Sequence, residues 1–317
     1  MANTRSKLIT LVKWVAPFLA LPFVASSAWA QGSLDTSVSS DGVVGDIAFE
    51  SATVSTVSPA FKGTGKINSQ ESGASTAAPD VKELMALKPV TAEVGTESII
   101  GPDTRIRTYT TYYPARAVAL ITFSGGRCTG WFIGKDTVVT AGHCVHSGGS
   151  GGNWYSRTSY KVYPGYNQNT APYGYCTAKR LHSVTGWTQS DSENYDYGAV
   201  KLNCTVGNTV GWFGFFWQTA SLTNYPAIVS GYPGDKPLQQ WWSSDTIRYT
   251  GTYQLFYRND SIGGMSGSPV WYDRNGPYAM AIHAYGLHGS SPHNAYNHGT
   301  RITQGVFNNL IAWRNAL

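Results

Sequence analysis

From about residue 98 onward, short apolar or alternating runs are separated by clusters of turn formers. Residues 117–123, 131–133, 137–140, 199–202, 227–230 and 269–271 each have the apolar, β-branched or aromatic content of a strand. Gly, Pro and Asn gather between them, at 147–153, 164–172 and 231–237, where the chain must turn. Helical periodicity appears only near the end, where Val306, Phe307, Leu310, Ile311 and Trp313 fall on one face. No internal repeat interrupts the pattern. Two six-stranded antiparallel barrels side by side, closed by a C-terminal helix, account for it, so the chain reads as all-β.

Composition adds a compartment and a division of the chain. Among 317 residues, 13% are charged, 13% are aromatic and 35 are glycine, which fits a turn-rich extracellular protein. Arg5, Lys7 and Lys13 lead into an apolar run at 14–24, and Ala28-Trp29-Ala30 fits signal peptidase. Residues 1–30 therefore read as a signal peptide of a secreted protein. The alternative is an uncleaved anchor, for which the run is short. Residues 31–97 hold nine acids against four bases and have no Trp or Cys. That segment reads as a propeptide, with a plain disordered linker as the alternative. Residues 98–317 carry sixteen bases against nine acids and read as the catalytic domain. Their basic residues form no cluster, so no nucleic-acid partner is expected, and a monomer without a membrane partner is expected after export.

Three phrases carry the chemistry. Thr-Ala-Gly-His-Cys at 140–144, Tyr-Asp-Tyr-Gly-Ala-Val at 195–200 and Gly-Gly-Met-Ser-Gly-Ser-Pro at 263–269 supply His143, Asp196 and Ser266. A serine nucleophile needs a base within hydrogen-bond reach, and that base needs an anionic partner to fix its tautomer. The order His, Asp, Ser is the order found in two-barrel proteases. Gly264 gives the backbone freedom to turn its N–H toward a developing oxyanion beside that of Ser266. Asp191 and Ser268 are the rival acid and nucleophile. Asp196 is preferred because a strand follows it at once, and Ser266 because a glycine turn precedes it. Four cysteines in an exported protein allow three pairings of two disulfides. Cys128–Cys144 and Cys176–Cys204 are preferred because both would hold loops near the three residues. His288, His293 and His298 lie in a Gly/Ser/Asn loop without a ligand-like pattern, so neither a metal nor a cofactor is expected.

Together with Cys-Thr-Gly-Trp-Phe-Ile-Gly at 128–134 and Gly-Tyr-Pro-Gly-Asp at 231–235, these phrases resemble the bacterial glutamyl endopeptidases. Those are chymotrypsin-fold proteases related to the staphylococcal V8 enzyme, and the secreted Bacillus members look most similar. The resemblance runs from about Ser98 to the C-terminus, while the leader matches in general character only. It implies a double β-barrel and cleavage of protein or peptide substrates after Glu, less readily after Asp. Carried over by position, it assigns His143, Asp196 and Ser266 to the triad and puts His283 and Ser261 in the pocket for the substrate carboxylate. It further implies that a new amino terminus, at Ser98 here, approaches that pocket. Met265 departs from the polar residue common before the serine, and Cys176 with Cys204 looks local to this chain.

Glutamate is unevenly spread. Five of six, Glu50, Glu71, Glu83, Glu93 and Glu97, precede Ser98, and only Glu193 follows it, beside eight aspartates. A Glu-cutting protease gains by excluding Glu from its own loops, whereas a general loss of acids does not explain why Asp survives. Cleavage at Glu97-Ser98 then becomes a bond the mature enzyme itself can cut. A His283 pocket leads one to expect weaker Glu binding at high pH, where the neighbouring charges or the imidazole proton are lost. Two rivals frame this reading. One is a serine endopeptidase of the same fold with another preference. The other is a non-catalytic secreted module binding through Trp241, Trp242, Tyr249 and Tyr253.

Overall fold

In a computed structural model of the protein, which describes residue 1 and residues 33–42, 44–45, 55–67, 72–91 and 98–317, the first apolar run forms β1 (Val118–Phe123), buried at every position. The expected signal peptide at 1–30 and the Glu97 side of the expected maturation bond lie outside the described residues. Five further strands follow: β2 (Gly126–Phe132), β3 (Thr137–Thr140), β4 (Lys161–Pro164), β5 (Cys176–Val184) and β6 (Gly198–Leu202). Antiparallel pairing runs β1–β2–β3–β6–β5–β4 and returns to β1, closing a six-stranded barrel. Closure removes the free edges that these apolar strands would otherwise present.

The second half starts with β7 (Gly214–Phe216) and continues through β8 (Pro226–Gly231), β9 (Trp241–Thr246), β10 (Tyr249–Thr250), β11 (Gln254–Tyr257), β12 (Pro269–Asp273), β13 (Pro277–Tyr285) and β14 (Asn297–Arg301). They form a curled sheet in the order β10–β11–β14–β13–β12–β8–β9, extended at its far end by Ile106–Arg107. Among the described residues no pairing joins its two ends, so this half is a curled half-barrel beside a closed one, in a chymotrypsin-like fold. A smaller apolar core that includes Val229, Leu255, Met265, Val270 and Met280 fills it.

The C-terminal helix, Gln304–Asn315, starts where Thr303 accepts a hydrogen bond from the Val306 N–H. Its buried face, Val306, Phe307, Leu310 and Trp313, joins the larger core. Cys128 is bonded to Cys144 and Cys176 to Cys204. No helix among the described residues is long and apolar enough to cross a membrane.

The described parts of the leader lie along the body. Ser37–Ser39 pairs with β5, and Val57–Ser58 pairs with β7. The short helix Val81–Ala86 buries Leu84 in the larger core. Strand β5 alternates at its start yet is buried throughout its last four residues, where Ser37–Ser39 takes up its edge and Trp313 of the C-terminal helix stacks on His182.

Candidate active site

The site forms where the two halves meet. Strand β3 ends in a tight 3-10 turn, Gly142–Cys144, that carries His143, and the disulfide to Cys128 of β2 anchors the residue beside it. Asp196 sits at the end of another 3-10 turn, Glu193–Tyr195, just before β6. Its carboxylate is fully buried and uses both oxygens on one partner. Oδ2 lies 2.7 Å from His143 Nδ1, and Oδ1 accepts the His143 backbone N–H at 2.8 Å. That double grip fixes both the position and the tautomer of the ring, leaving Nε2 as the proton-accepting nitrogen. Thr300 of β14 donates to the Asp196 carbonyl at 3.1 Å, so the second half helps to hold the acid. The rival Asp191 lines the cleft, but the carboxylate on the ring is Asp196.

Ser266 comes from the second half, in the turn before β12. Gly264 has φ +101°, a region that disfavours side chains, and a Cβ there would press on the Tyr232 carbonyl. Gly267 has φ +87° and packs so closely on the Thr129 carbonyl and the Thr140 hydroxyl that any side chain would collide. The Thr129 N–H donates to the Ser266 carbonyl at 2.9 Å, and the Thr129 hydroxyl donates to the Gly264 carbonyl at 2.8 Å. The Ser266 turn is thus bolted to β2 of the first barrel. The rival Ser268 is buried, and its Oγ lies beside Gly231.

His283, on β13, is fully buried behind this turn, and its Nδ1 lies 2.7 Å from the Tyr257 hydroxyl. Burial, with His298 and His143 nearby, pushes its pKa down to about 3. It is therefore neutral at working pH, not the imidazolium whose loss the sequence reading invoked. Its Nε2 has no hydrogen-bond partner among the described residues. Ser261 is also fully buried, and its hydroxyl likewise has none. Ser98 lies alongside: its carbonyl accepts the Ser261 N–H at 3.3 Å, and its own N–H donates to Asn297 Oδ1 at 3.0 Å. Tyr257 and Asn297 had no distinguishing sequence signal.

A cleft of about 490 Å³ runs past His143, Trp187, Asp191, Glu193 and Tyr285 and is walled on one side by Val90 and Thr91 of the leader. The Ser266 hydroxyl donates to the Val90 carbonyl at 3.3 Å. Backbone bonds on both sides of Pro89 tie the leader to Arg127, with Val90 N–H to the Arg127 carbonyl and Arg127 N–H to the Lys88 carbonyl, each 3.0 Å. At one end of the cleft, Glu193 is surrounded by His288, His293 and His298. Sequence reasoning dismissed these histidines. The signal it passed over was their even spacing, five residues apart, as three of the seven histidines in the chain.

A model of the trypsin family matches residues 107–311. A glutamyl endopeptidase of Bacillus licheniformis is 43% identical over 268 residues, covering 82% of this chain and 79% of that protein. That alignment is longer than the segment from Ser98 to the C-terminus, so the likeness reaches into the leader, beyond what the motifs indicated. An extracellular metalloprotease of Bacillus subtilis is 40% identical over 292 residues, covering 88% of this chain and 87% of that protein. Among solved structures, a Glu endopeptidase in complex with MPD superposes with a TM-score of 0.62 at 29% identity, covering 69% of this chain and all of that one.

Proposed function

This chain belongs to the trypsin family and is a serine endopeptidase, and from that premise we propose that it cuts peptide bonds after glutamate and is made as an exported zymogen. Ser266 Oγ attacks the scissile carbonyl while His143 Nε2 takes its proton. Asp196 holds the imidazole through Nδ1–H and stabilises its charged form. The N–H groups of Gly264 and Ser266 receive the oxyanion, a contribution worth about 3 kcal/mol of barrier per donor. His143 then returns the proton to the leaving amine, and water repeats the sequence on the acyl-enzyme.

The observation that carries the glutamate preference is the buried Tyr257–His283 pair, with His283 Nε2 and the buried Ser261 hydroxyl both without a hydrogen-bond partner among the described residues. A buried imidazole and a buried hydroxyl without partners discriminate strongly for a substrate group that pairs with both. The ammonium released by cleavage at Glu97-Ser98 would complete charge compensation, because Ser98 already lies against Ser261 and Asn297. The zymogen reading rests on Val90, whose carbonyl occupies the Ser266 hydroxyl in the unprocessed chain. Export is supported by the two disulfides and by the extracellular relative.

Replacing His283 with Ala tests the pocket. On matched peptides, kcat/KM for Glu is expected to fall by on the order of 100-fold, with the Gln analogue affected far less. Preference that survived the change, in a variant with an unaltered melting temperature, would remove His283 from the pocket.

A further inference from the structure

Beyond the proposed hydrolysis, we propose that Glu193, His288, His293 and His298 form a binding site for a divalent transition metal of the zinc class at the rim of the cleft. The four ligand atoms lie within 4.8 Å of one another. Glu193 Oε1 is 2.5 Å from His298 Nε2 and 3.7 Å from His293 Nε2, and Oε2 is 3.3 Å from His288 Nε2. Tetrahedral zinc with bonds of about 2.1 Å spaces its ligand atoms about 3.4 Å apart, so modest side-chain rotation brings this set onto one ion.

Hydrogen bonding on the far side of the rings points the same way. His288 Nδ1 lies 3.1 Å from the Gly286 carbonyl, and His298 Nδ1 lies 3.4 Å from the Tyr296 carbonyl. A carbonyl only accepts, so each Nδ1 carries a proton, and each ring turns its Nε2 edge toward the Glu193 carboxylate. Imidazole held through Nδ1–H on a backbone carbonyl, with Nε2 directed at a shared centre, is the outer-shell pattern of metal-bound histidine.

The rings are also held in place. Phe256 stacks on His298 and meets His293 edge-on, each at 5.0 Å, and Tyr285 stacks on His298 at 5.3 Å. Three nitrogens and one carboxylate oxygen suit zinc-class ions and not calcium, which takes oxygen ligands. Glu193 is moreover the one glutamate of the body, retained in a segment that otherwise dispenses with this residue. It belongs to the 3-10 turn leading to Asp196, whereas the histidines come from β14 and the loop before it. The ion therefore staples the acid-bearing turn of the first barrel to the second half, a structural role outside the bond-breaking step.

Metal uptake is to be read without hydrolysis, on the full chain carrying Ser266→Ala and stripped with a chelator. ZnCl2 is titrated by calorimetry, CoCl2 by visible absorption, and CaCl2 serves as control. One zinc per chain, a tetrahedral cobalt spectrum, and a melting temperature raised by zinc and not by calcium are expected. His293→Ala, at a partly exposed loop position, and Glu193→Gln are each expected to weaken zinc binding by at least about 100-fold. Absence of uptake, an octahedral cobalt spectrum, or binding unchanged in both variants would overturn the site. Loss of hydrolysis on chelation of the unmutated enzyme, with no change in melting temperature, would overturn the structural role.

Discussion

His182 shows how one buried side chain sets a pH limit. It stacks on Trp313 at 5.6 Å, and its Nε2 has no hydrogen-bond partner among the described residues. Burial, reinforced by Arg180, pushes its pKa from 6.5 down to about 3. Between those values the unfolded chain holds a proton that the folded chain refuses. Its contribution to stability is therefore complete above about pH 6.5 and is lost as pH falls, by up to about 1.4 kcal/mol per pH unit. Thermal melts between pH 7 and 4 check this, and His182→Phe is expected to flatten the slope by one proton. A slope unchanged in that variant would assign the acid sensitivity elsewhere. At this scale, His143, Asp196 and Ser266 were legible because each is flanked by residues that the local geometry requires. Gly267 is one such residue, leaving no room for a side chain beside Thr129. Tyr257 and the Glu193 cluster were not legible, because their roles depend on contacts between distant strands.

Among the elements, the two disulfides should separate stability from activity. Cys128–Cys144 joins β2 to the turn carrying His143, whereas Cys176–Cys204 joins the start of β5 to the residues after β6. Replacing either pair with alanine is expected to cost about 3 kcal/mol, or roughly 10 °C in melting temperature. Only the first pair should also lower kcat/KM in the folded protein, and equal loss from both would contradict the assigned geometry. Short strands of β-branched residues, such as Thr137–Thr140, were readable to the residue. The long strand β5 was obscured by Lys179 and Arg180, because its outward face is polar at one end and packed on Trp313 of the C-terminal helix at the other. The curled second sheet was not separable from a closed barrel, since local alternation is the same in both.

For the whole molecule, the leader is the feature that composition described least well. Its acidic, weakly hydrophobic sequence read as a propeptide, with a disordered linker as the alternative, but gave no sign that residues 88–90 lie against Arg127 and Ser266, or that Ser266 is fully buried. A leader that covers the site in 99 of 100 molecules lowers activity about 100-fold. A precursor in which Glu93→Gln and Glu97→Gln prevent self-cleavage should therefore hydrolyse Glu substrates about 100-fold more slowly than enzyme beginning at Ser98. A peptide spanning 72–91, added to the mature enzyme, should restore inhibition. Equal rates for precursor and mature enzyme would remove the leader from the cleft.

The central claim is that Ser266 cleaves after glutamate. The most direct measurement digests an unstructured protein with the mature enzyme and, in parallel, with its Ser266→Ala counterpart, and maps every new terminus by mass spectrometry. Cuts almost wholly after Glu with the first, and none with the second, are the predicted result. Cuts spread over other residues, or cuts that persist without the Ser266 hydroxyl, would contradict it.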